Sequence, residues 1–139
     1  MRFVTVTLDE CLDIRHEVLW PALSRDESRV DEDETASHFG VLHEGKIVSC
    51  LSVFMLDPRR CQIRKFATRN AFQGKGFGGF LFQHVVSQMQ STGIDFISLD
   101  ARTTASAFYK KYGFICEGAP FHKRGVEYIR MSLNYAAND

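Results

Sequence analysis

Four glycines fall where a turn runs into a predicted amphipathic helix. The stretch reads Gln73, Gly74, Lys75, Gly76, Phe77, Gly78 and Gly79. Glycine permits positive φ and close backbone approach, and the amides and dipole of a first helical turn attract an anion. We therefore predict that residues 73–78 bind phosphate. The alternative is a helix start without a ligand, which is disfavoured because each glycine weakens a helix by up to about 1 kcal/mol relative to alanine.

Gly74, Gly76 and Gly79 also fit the G-x-G-x-x-G pattern of dinucleotide-binding enzymes, which is a weak signal by itself. That fingerprint directly follows a buried strand, whereas these glycines follow the polar turn at residues 68–70. The phosphate-loop pattern G-x-x-x-x-G-K-[ST] is absent, because Gly76 stands where its hydroxyl residue would. The context therefore disfavours both of these nucleotide-binding motifs.

Two blocks of the sequence carry a family resemblance. The first runs from Ile63 to Gly78 and reads IRKFATRNAFQGKGFG, and the second runs from Ala107 to Phe114 and reads AFYKKYGF. They resemble the strand, turn and Q/R-x-x-G-x-G/A loop, and the A-x-x-F-Y-x-x-x-G-F segment, of the GNAT superfamily of acyl-CoA N-acyltransferases. The resemblance covers the central and C-terminal half of the chain, and the N-terminal half fits only in the order of its elements.

The resemblance implies an N-acetyltransferase that moves an acetyl group from acetyl-CoA to a primary amine of a small molecule or peptide. The amine would attack directly in a ternary complex, without a metal. Backbone groups of Phe66, Ala67 and Thr68 would bind the pantetheine arm like an added strand. Tyr109 falls on the family's tyrosine that faces the sulfur and would act as general acid. Lys75 would add charge beside the backbone amides that hold the pyrophosphate, those of Gln73, Gly74, Lys75, Gly76, Phe77 and Gly78.

The sequence departs from the family pattern at two places. Arg102 stands where many members carry an asparagine, and Arg64 and Lys65 occupy the region where many carry a glutamate base. The base is therefore unassigned. His38 and His122 could titrate near neutrality, but we expect both to be structural or solvated, with ordered water taking the proton. The missing base leaves open a second class of function, a non-catalytic acyl-CoA- or nucleotide-binding module.

The segment from Ser24 to Glu34 is strongly acidic, with Arg25 and Arg29 as its only basic residues. A solvated loop or short helix is the simpler interpretation. In the resembled family this region borders the acceptor site, where an acidic rim would attract a cationic amine. The acidic side chains are Asp26, Glu27, Asp31, Glu32, Asp33 and Glu34.

The composition of the chain narrows the possible classes of function and the domain organisation. A chain of 139 residues predicts a single domain spanning residues 1–139. Its 17 basic and 17 acidic residues cancel, which argues against a general nucleic-acid binder. The four cysteines form no metal-ligand pattern and are expected to be reduced, three of them in apolar segments. We expect no membrane span, no signal peptide and a cytoplasmic location. A homodimer is compatible with the sequence, which does not determine the oligomeric state.

The hydrophobic patterns predict an α+β fold with a mixed sheet. A strand at residues 2–7 precedes a first helix, which has a capping box at Thr7 and ends at Pro21. Antiparallel strands at residues 38–43, 46–55 and 61–67 follow it. A crossover helix to about Ser91 leads to a parallel strand at residues 94–101. We expect a second C-terminal helix, capped by Thr103 or Thr104 and stopped at Gly113, and then a hairpin. Its strands are residues 114–117 and 126–133, joined by a connection at 118–125 and followed by a loose tail at 135–139.

Overall fold

The computed structural model describes residues 1–135, which form an α+β fold as predicted. Seven strands make one mixed sheet in the order β1-β2-β3-β4-β5-β7-β6, and three α-helices accompany them. The elements in chain order are β1 (Arg2–Thr5), α1 (Leu8–Val18), β2 (Ser37–His43), β3 (Lys46–Asp57), β4 (Arg60–Thr68), α2 (Phe77–Ser91), β5 (Phe96–Arg102), α3 (Ser106–Lys110), β6 (Ile115–Lys123) and β7 (Val126–Asn134).

The chain divides into two compact units. The first contains Met1–Phe54 and Ile63–Thr92, and the second contains Met55–Gln62 and, of the described residues, 93–135. Strand β4 contributes to both units. The predicted parallel pairing of β4 with β5 lies in the second unit, where Arg60 to Gln62 pair with Phe96 to Ser98.

Helix α1 of the first unit begins and ends where the sequence predicts. The Thr7 hydroxyl accepts from the Glu10 amide at 3.2 Å, and the Glu10 carboxylate accepts from the Thr7 amide at 2.9 Å, which completes the capping box. The helix ends before Pro21 and buries Cys11, Leu12 and Ile14. It also buries the side chain of Arg15, which the apolar pattern did not predict.

The hairpin of β2 and β3 turns at Glu44 and Gly45, whose φ angles are 50° and 80°. Two successive left-handed residues are typical of a tight hairpin turn, which the two-residue gap between the predicted strands at 38–43 and 46–55 also indicates. Helix α2 ends at Ser91, as predicted. Helical spacing in the sequence predicts an apolar face made of Phe77, Phe80, Leu81, His84, Val85 and Met89, whereas the structure also buries Phe82 and Val86 and leaves His84 exposed. The periodicity therefore predicted the helix better than the exact direction of its apolar face.

Two predictions for the second unit were wrong. Strand β6 does not end at Glu117 but continues to Lys123, and its pairing with β7 shifts register between Glu117 and Phe121. Glycine and proline at residues 118–120 read as a connection, whereas pairing with β7 keeps the backbone in the sheet. Helix α3 begins after a 3₁₀ turn at Thr103–Ala105 and has Ala105 as its N-cap, so neither threonine caps it. The predicted stop at Gly113 is confirmed by its φ of 92°.

Tyr135 belongs to the ordered structure, because its amide donates to the Asp95 carbonyl at 2.7 Å. The rest of the predicted tail, residues 136–139, lies outside the described residues. Cys11, Cys50 and Cys61 are buried free thiols, as expected, and Cys116 is exposed. Within residues 1–135 no group of acidic, histidine or cysteine side chains is arranged to hold a metal, and no helix is long and apolar enough to span a membrane.

Candidate functional site

The glycine loop of the first unit has the backbone geometry that a phosphate site requires. Gly74 and Gly76 have φ angles of 75° and 89°, in the left-handed region that strongly favours glycine. Gly76 is the N-cap of α2, and among residues 1–135 no side chain caps this helix end. The first-turn amides, including those of Phe77 and Gly78, therefore keep the donor capacity that an anion can use.

The space around the loop also fits a phosphate group. A Cβ added at Gly74 would meet no described atom within 4 Å, and one added at Gly76 would meet only the Met1 side chain, at 3.9 Å. Residues 73–76 are exposed. The Lys75 ammonium lies 5.9 Å from the centre of the Phe72 ring, beside the loop. The backbone, the open surface and the cation together fit the pyrophosphate of an acyl-CoA.

The end of β4 lies against this loop. A Cβ at Gly78 would come within 3.4 Å of both the Phe66 ring and the Thr68 hydroxyl, so the helix start packs directly on the strand. The Gln73 side chain donates through Nε2 to the Thr68 carbonyl at 3.0 Å, and the Ser49 hydroxyl donates to the Ala67 carbonyl at 3.0 Å. The structure thus brings together nine of the predicted binding residues, Phe66 to Thr68 and Gln73 to Gly78, in the first unit.

Strand β4 is irregular just before these residues. Lys65 has a φ of 58°, which interrupts the extended backbone in the manner of a β-bulge. Its ammonium lies 4.2 Å from the centre of the Trp20 ring, and the Arg64 guanidinium lies 5.0 Å from the Phe54 ring. Both cations therefore pack on aromatic faces. Neither of these side chains is the glutamate base that many members of the family carry in this region.

The turn between β4 and the loop is tied to α1 through one carboxylate. Glu17 Oε1 lies 3.1 Å from Arg69 Nη1, and Glu17 Oε2 accepts from the Asn70 amide at 2.8 Å. A cavity of about 560 Å³ adjoins this contact. Its lining comes from α1, the start of β3 and the turn, namely Glu10, Asp13, Glu17, Lys46, Ile47, Arg69, Ala71 and Phe72.

Tyr109, the predicted general acid, lies on α3 in the second unit. Its ring contacts Phe108 edge-on, with 5.1 Å between centroids, and Phe114 at 6.5 Å. Burial raises the pKa of Tyr109 to about 12. Its phenol therefore keeps its proton throughout the physiological pH range, which a proton donor requires. Arg102, at the family's asparagine position, is exposed at the end of β5.

The acidic segment is not a uniform rim. Asp33 is buried and accepts two hydrogen bonds from Arg15, at 2.8 and 2.9 Å, while Asp26, Glu27, Asp31, Glu32 and Glu34 are exposed. Burial opposes ionisation of Asp33, but hydrogen bonds from Arg15 and from the Val30 amide outweigh it and lower its pKa. Asp33 thus anchors the segment instead of facing an acceptor, which corrects its inclusion among the rim residues.

His38 is part of the same buried network. Its Nδ1 lies 2.6 Å from the Ser52 hydroxyl and its Nε2 lies 3.0 Å from the Asp33 carbonyl, which is the structural role expected of it. A hydrogen bond with Cys11 raises the pKa of His38, and a hydrogen bond with Cys50 lowers the pKa of Cys11 to about 6. His122 is exposed, with its Nε2 3.8 Å from a Glu127 carboxylate oxygen.

The sequence did not identify Arg15 or Glu17 as important. Arg15 follows Cys11 and Leu12 at helical spacing, so a charged residue on the core face of α1 was a detectable signal for a buried partner. Glu17 gave no such signal, because its partners Arg69 and Asn70 lie more than fifty residues away. Both residues contact segments already identified from the sequence: Arg15 contacts the acidic segment, and Glu17 contacts the turn before the glycine loop.

Comparison with known proteins supplies the family. A family model described as the acetyltransferase (GNAT) domain matches residues 12–135. The uncharacterized N-acetyltransferase YitI of Bacillus subtilis (strain 168) is 25% identical over 130 residues, which cover 88% of this chain and 87% of that protein.

Solved structures agree on the fold. A Lactobacillus plantarum protein that has been proposed to be an N-acetyltransferase has a TM-score of 0.85 at 16% identity, covering 96% of this chain and 97% of that one. A GNAT family acetyltransferase from Elizabethkingia anophelis, solved with acetyl-CoA bound, has a TM-score of 0.75 at 16% identity, covering 96% and 97% of the two chains.

Proposed function

The chain belongs to the GNAT acetyltransferase family, and we propose that it transfers an acetyl group from acetyl-CoA to a primary amine of a small molecule or peptide. The observation that carries this proposal is the uncapped start of α2 with Gly74 and Gly76 in the left-handed region, packed on the end of β4. An acyltransferase must bind a pyrophosphate and a pantetheine arm together, and these adjacent groups suit both tasks.

Each binding residue has a proposed task. Backbone amides of residues 73–78 bind the pyrophosphate, and Lys75 adds positive charge at its edge. Backbone groups of Phe66, Ala67 and Thr68 bind the pantetheine arm as an added strand would. Hydrogen bonds from Ser49 and Gln73 to the carbonyls of Ala67 and Thr68 fix this part of β4, so its remaining donors and acceptors are held in place before a ligand arrives.

Acetyl-CoA supplies the thioester, and the neutral amine attacks its carbonyl directly in a ternary complex. Tyr109 donates a hydrogen bond to the departing thiolate. Because the pKa of Tyr109 is raised to about 12 and that of a thiol is near 8.5, full proton transfer is uphill by about 5 kcal/mol. Tyr109 therefore acts by a hydrogen bond that strengthens as the sulfur gains charge. Water takes the proton that the amine loses, because Arg64 and Lys65 hold the family's base region.

The second candidate is a non-catalytic module that binds acyl-CoA or a nucleotide without turnover. The two cations in the base region of β4 favour it. Under either function, we propose that residues 1–139 act as one domain. A homodimer and a cytoplasmic location stay predictions.

A CoA-release assay over a panel of small amines and peptides separates the two functions. We expect amine-dependent release of CoA together with an acetylated amine that is detectable by mass. Tyr109→Phe keeps the aromatic ring and should lower kcat by on the order of a hundredfold while leaving the affinity for acetyl-CoA unchanged. Tyr112→Phe removes a neighbouring hydroxyl and serves as the matched control, with kcat near the parental value.

Two outcomes would contradict these assignments. If the parental protein bound acetyl-CoA but released no CoA in response to any amine, the non-catalytic module would replace the enzyme. If Tyr109→Phe turned over the best amine at the parental rate between pH 6 and 9, with chemistry rate-limiting, Tyr109 would lose its role as hydrogen-bond donor to the departing thiolate.

A further inference from the structure

We propose that Glu17 on α1 is a positioning residue that holds the turn at Arg69–Phe72 and so presents the glycine loop to acetyl-CoA. The proposal rests on the proposed function, since it assigns this loop to the pyrophosphate. Glu17 is not part of the resembled motifs. Its carboxylate bonds to Arg69 and Asn70, in the turn that precedes the loop.

The contact uses both carboxylate oxygens. One oxygen lies 3.1 Å from the Arg69 guanidinium, and the other accepts from the Asn70 amide at 2.8 Å. A single side chain on a helix thus binds one side chain and one backbone group of the turn. The side chains of Glu17 and Arg69 are only 35% and 27% exposed, so water competes less with the pair than at an open surface.

Arg69 extends the connection into the sheet. Its Nε donates to the Ile47 carbonyl at 2.8 Å, and its backbone amide donates to the Val48 carbonyl at 2.8 Å. Arg69 is therefore fixed between α1 and β3. Its Nε and Nη1 bond to different partners, the Ile47 carbonyl and Glu17, so the guanidinium has one preferred orientation.

The turn then continues into the loop. The Phe72 amide donates to the Arg69 carbonyl at 2.9 Å, which forms the 3₁₀ turn Asn70–Phe72. The side-chain Nε2 of Gln73 lies 3.3 Å from the Asn70 side-chain oxygen and 3.0 Å from the Thr68 carbonyl, and the Gln73 backbone amide donates to the Asn70 carbonyl at 3.5 Å. Displacement of Asn70 would therefore move Gln73, the first residue of the loop. A misplacement of about 1 Å can lower a reaction rate a hundredfold where reacting groups must be aligned. The position of this turn therefore matters for how acetyl-CoA is bound and presented.

Helix α1 offers a matched control on the same face. Asp13 precedes Glu17 by one helical turn and lines the same cavity, but its carboxylate pairs with the Arg25 guanidinium at 2.5 Å. Asp13→Asn therefore removes a charge and an ion pair from α1 at a residue whose partner is Arg25 and not the turn. A purely electrostatic or helix-stability effect would appear in both variants.

The test compares Glu17→Ala, Glu17→Gln and Asp13→Asn with the parental protein. We expect Glu17→Ala to raise the KM and the dissociation constant for acetyl-CoA by about tenfold or more, with the KM for the amine unchanged. Glu17→Gln retains an acceptor for the Asn70 amide but loses the charge facing Arg69, so its effect should be intermediate. Asp13→Asn should bind acetyl-CoA like the parental protein.

Amide hydrogen exchange without any ligand tests the positioning step separately. Glu17→Ala should lose protection at residues 70–73, and Asp13→Asn should not. A parental protein that failed to bind acetyl-CoA would refute the proposed function, while the exchange result would still decide whether Glu17 holds the turn. The positioning role is overturned if Glu17→Gln, or a folded Glu17→Ala, keeps both parental protection at residues 70–73 and parental affinity for acetyl-CoA.

Discussion

Arg15 and Glu17 lie two positions apart in α1, on either side of His16, and anchor two different segments of the first unit. Arg15 holds the acidic segment through Asp33, and the two side chains are 0% and 3% exposed. Glu17 holds the turn before the glycine loop through Arg69, and that pair is 35% and 27% exposed. The buried anchor sustains the fold of its segment, whereas the half-exposed anchor adjusts a loop that glycine geometry already shapes.

This difference in exposure predicts that removing the two ion pairs has different consequences, one for stability and the other for ligand binding. Removing one partner of a buried ion pair leaves an uncompensated charge in the interior, which is among the most destabilising of single changes. A half-exposed pair lets water replace the lost partner, so its loss should change ligand binding more than stability. The predictions below run from the largest expected effect to the smallest.

Asp33→Ala should lower the free energy of unfolding by about 3 to 5 kcal/mol, because the Arg15 guanidinium would stay buried without its partner. The midpoint of thermal unfolding should fall by about 10 °C or more. Calorimetry or circular dichroism measures this directly. Asp31→Ala, in the exposed part of the same segment, is the matched control and should change stability by about 0.5 kcal/mol or less.

The Asp33 carboxylate also predicts how the stability of the protein depends on pH. Hydrogen bonds from Arg15 and Val30 lower the pKa of folded Asp33 below its unfolded value, so the folded state binds its proton less readily. Its contribution to stability is complete above the unfolded pKa, near 3.9, and is lost as pH falls through the folded pKa. Asp33→Ala should therefore lose part of the parental acid dependence. An identical acid profile in the two proteins, or a stability loss no larger than that of Asp31→Ala, would contradict the buried anchor.

The smallest effect concerns the exposed acids of the segment. Changing Asp31, Glu32 and Glu34 to their amides should raise the KM for a cationic amine a few fold, and leave the affinity for acetyl-CoA alone. Asp33 is left intact, because its loss would confound binding with stability. The effect should weaken as salt screens it, over a Debye length of about 8 Å at physiological ionic strength. Equal amine kinetics at low salt would make the segment an ordinary solvated loop.

Sequence alone predicted those parts of the molecule whose chemistry is local. The Thr7 capping box, the Glu44–Gly45 turn and the glycine loop each depend on residues a few positions apart, and the structure confirms the first two directly. The buried pair of Arg15 and Asp33 spans eighteen positions and depends on packing between α1 and the acidic segment, so the charge pattern of that segment suggested a rim instead. Long-range pairing also extended β6 through Gly118, where local propensity predicted a break.

The family explains what local chemistry could not. Residues 12–135 match the acetyltransferase (GNAT) domain, which supports the interpretation of a glycine loop that by itself fits several nucleotide-binding patterns. We expect selection of the acceptor amine to involve exposed side chains of the acidic segment, such as Asp31, Glu32 and Glu34, and the contacts that hold the segment in place. That information lies in tertiary contacts such as the Arg15 pair.

The most direct test of the central claim, that the glycine loop binds acetyl-CoA, is the ligand-dependent shift in thermal unfolding of Gly76→Asp. At a hundredfold excess over the dissociation constant, acetyl-CoA should stabilise the parental protein by about 2.7 kcal/mol. Gly76→Asp places a Cβ and a carboxylate at the N-cap of α2, and should abolish that shift. Gly45→Asp, at another glycine with positive φ in the first unit, controls for backbone strain and should retain the shift. A folded Gly76→Asp protein with the parental shift would contradict the account.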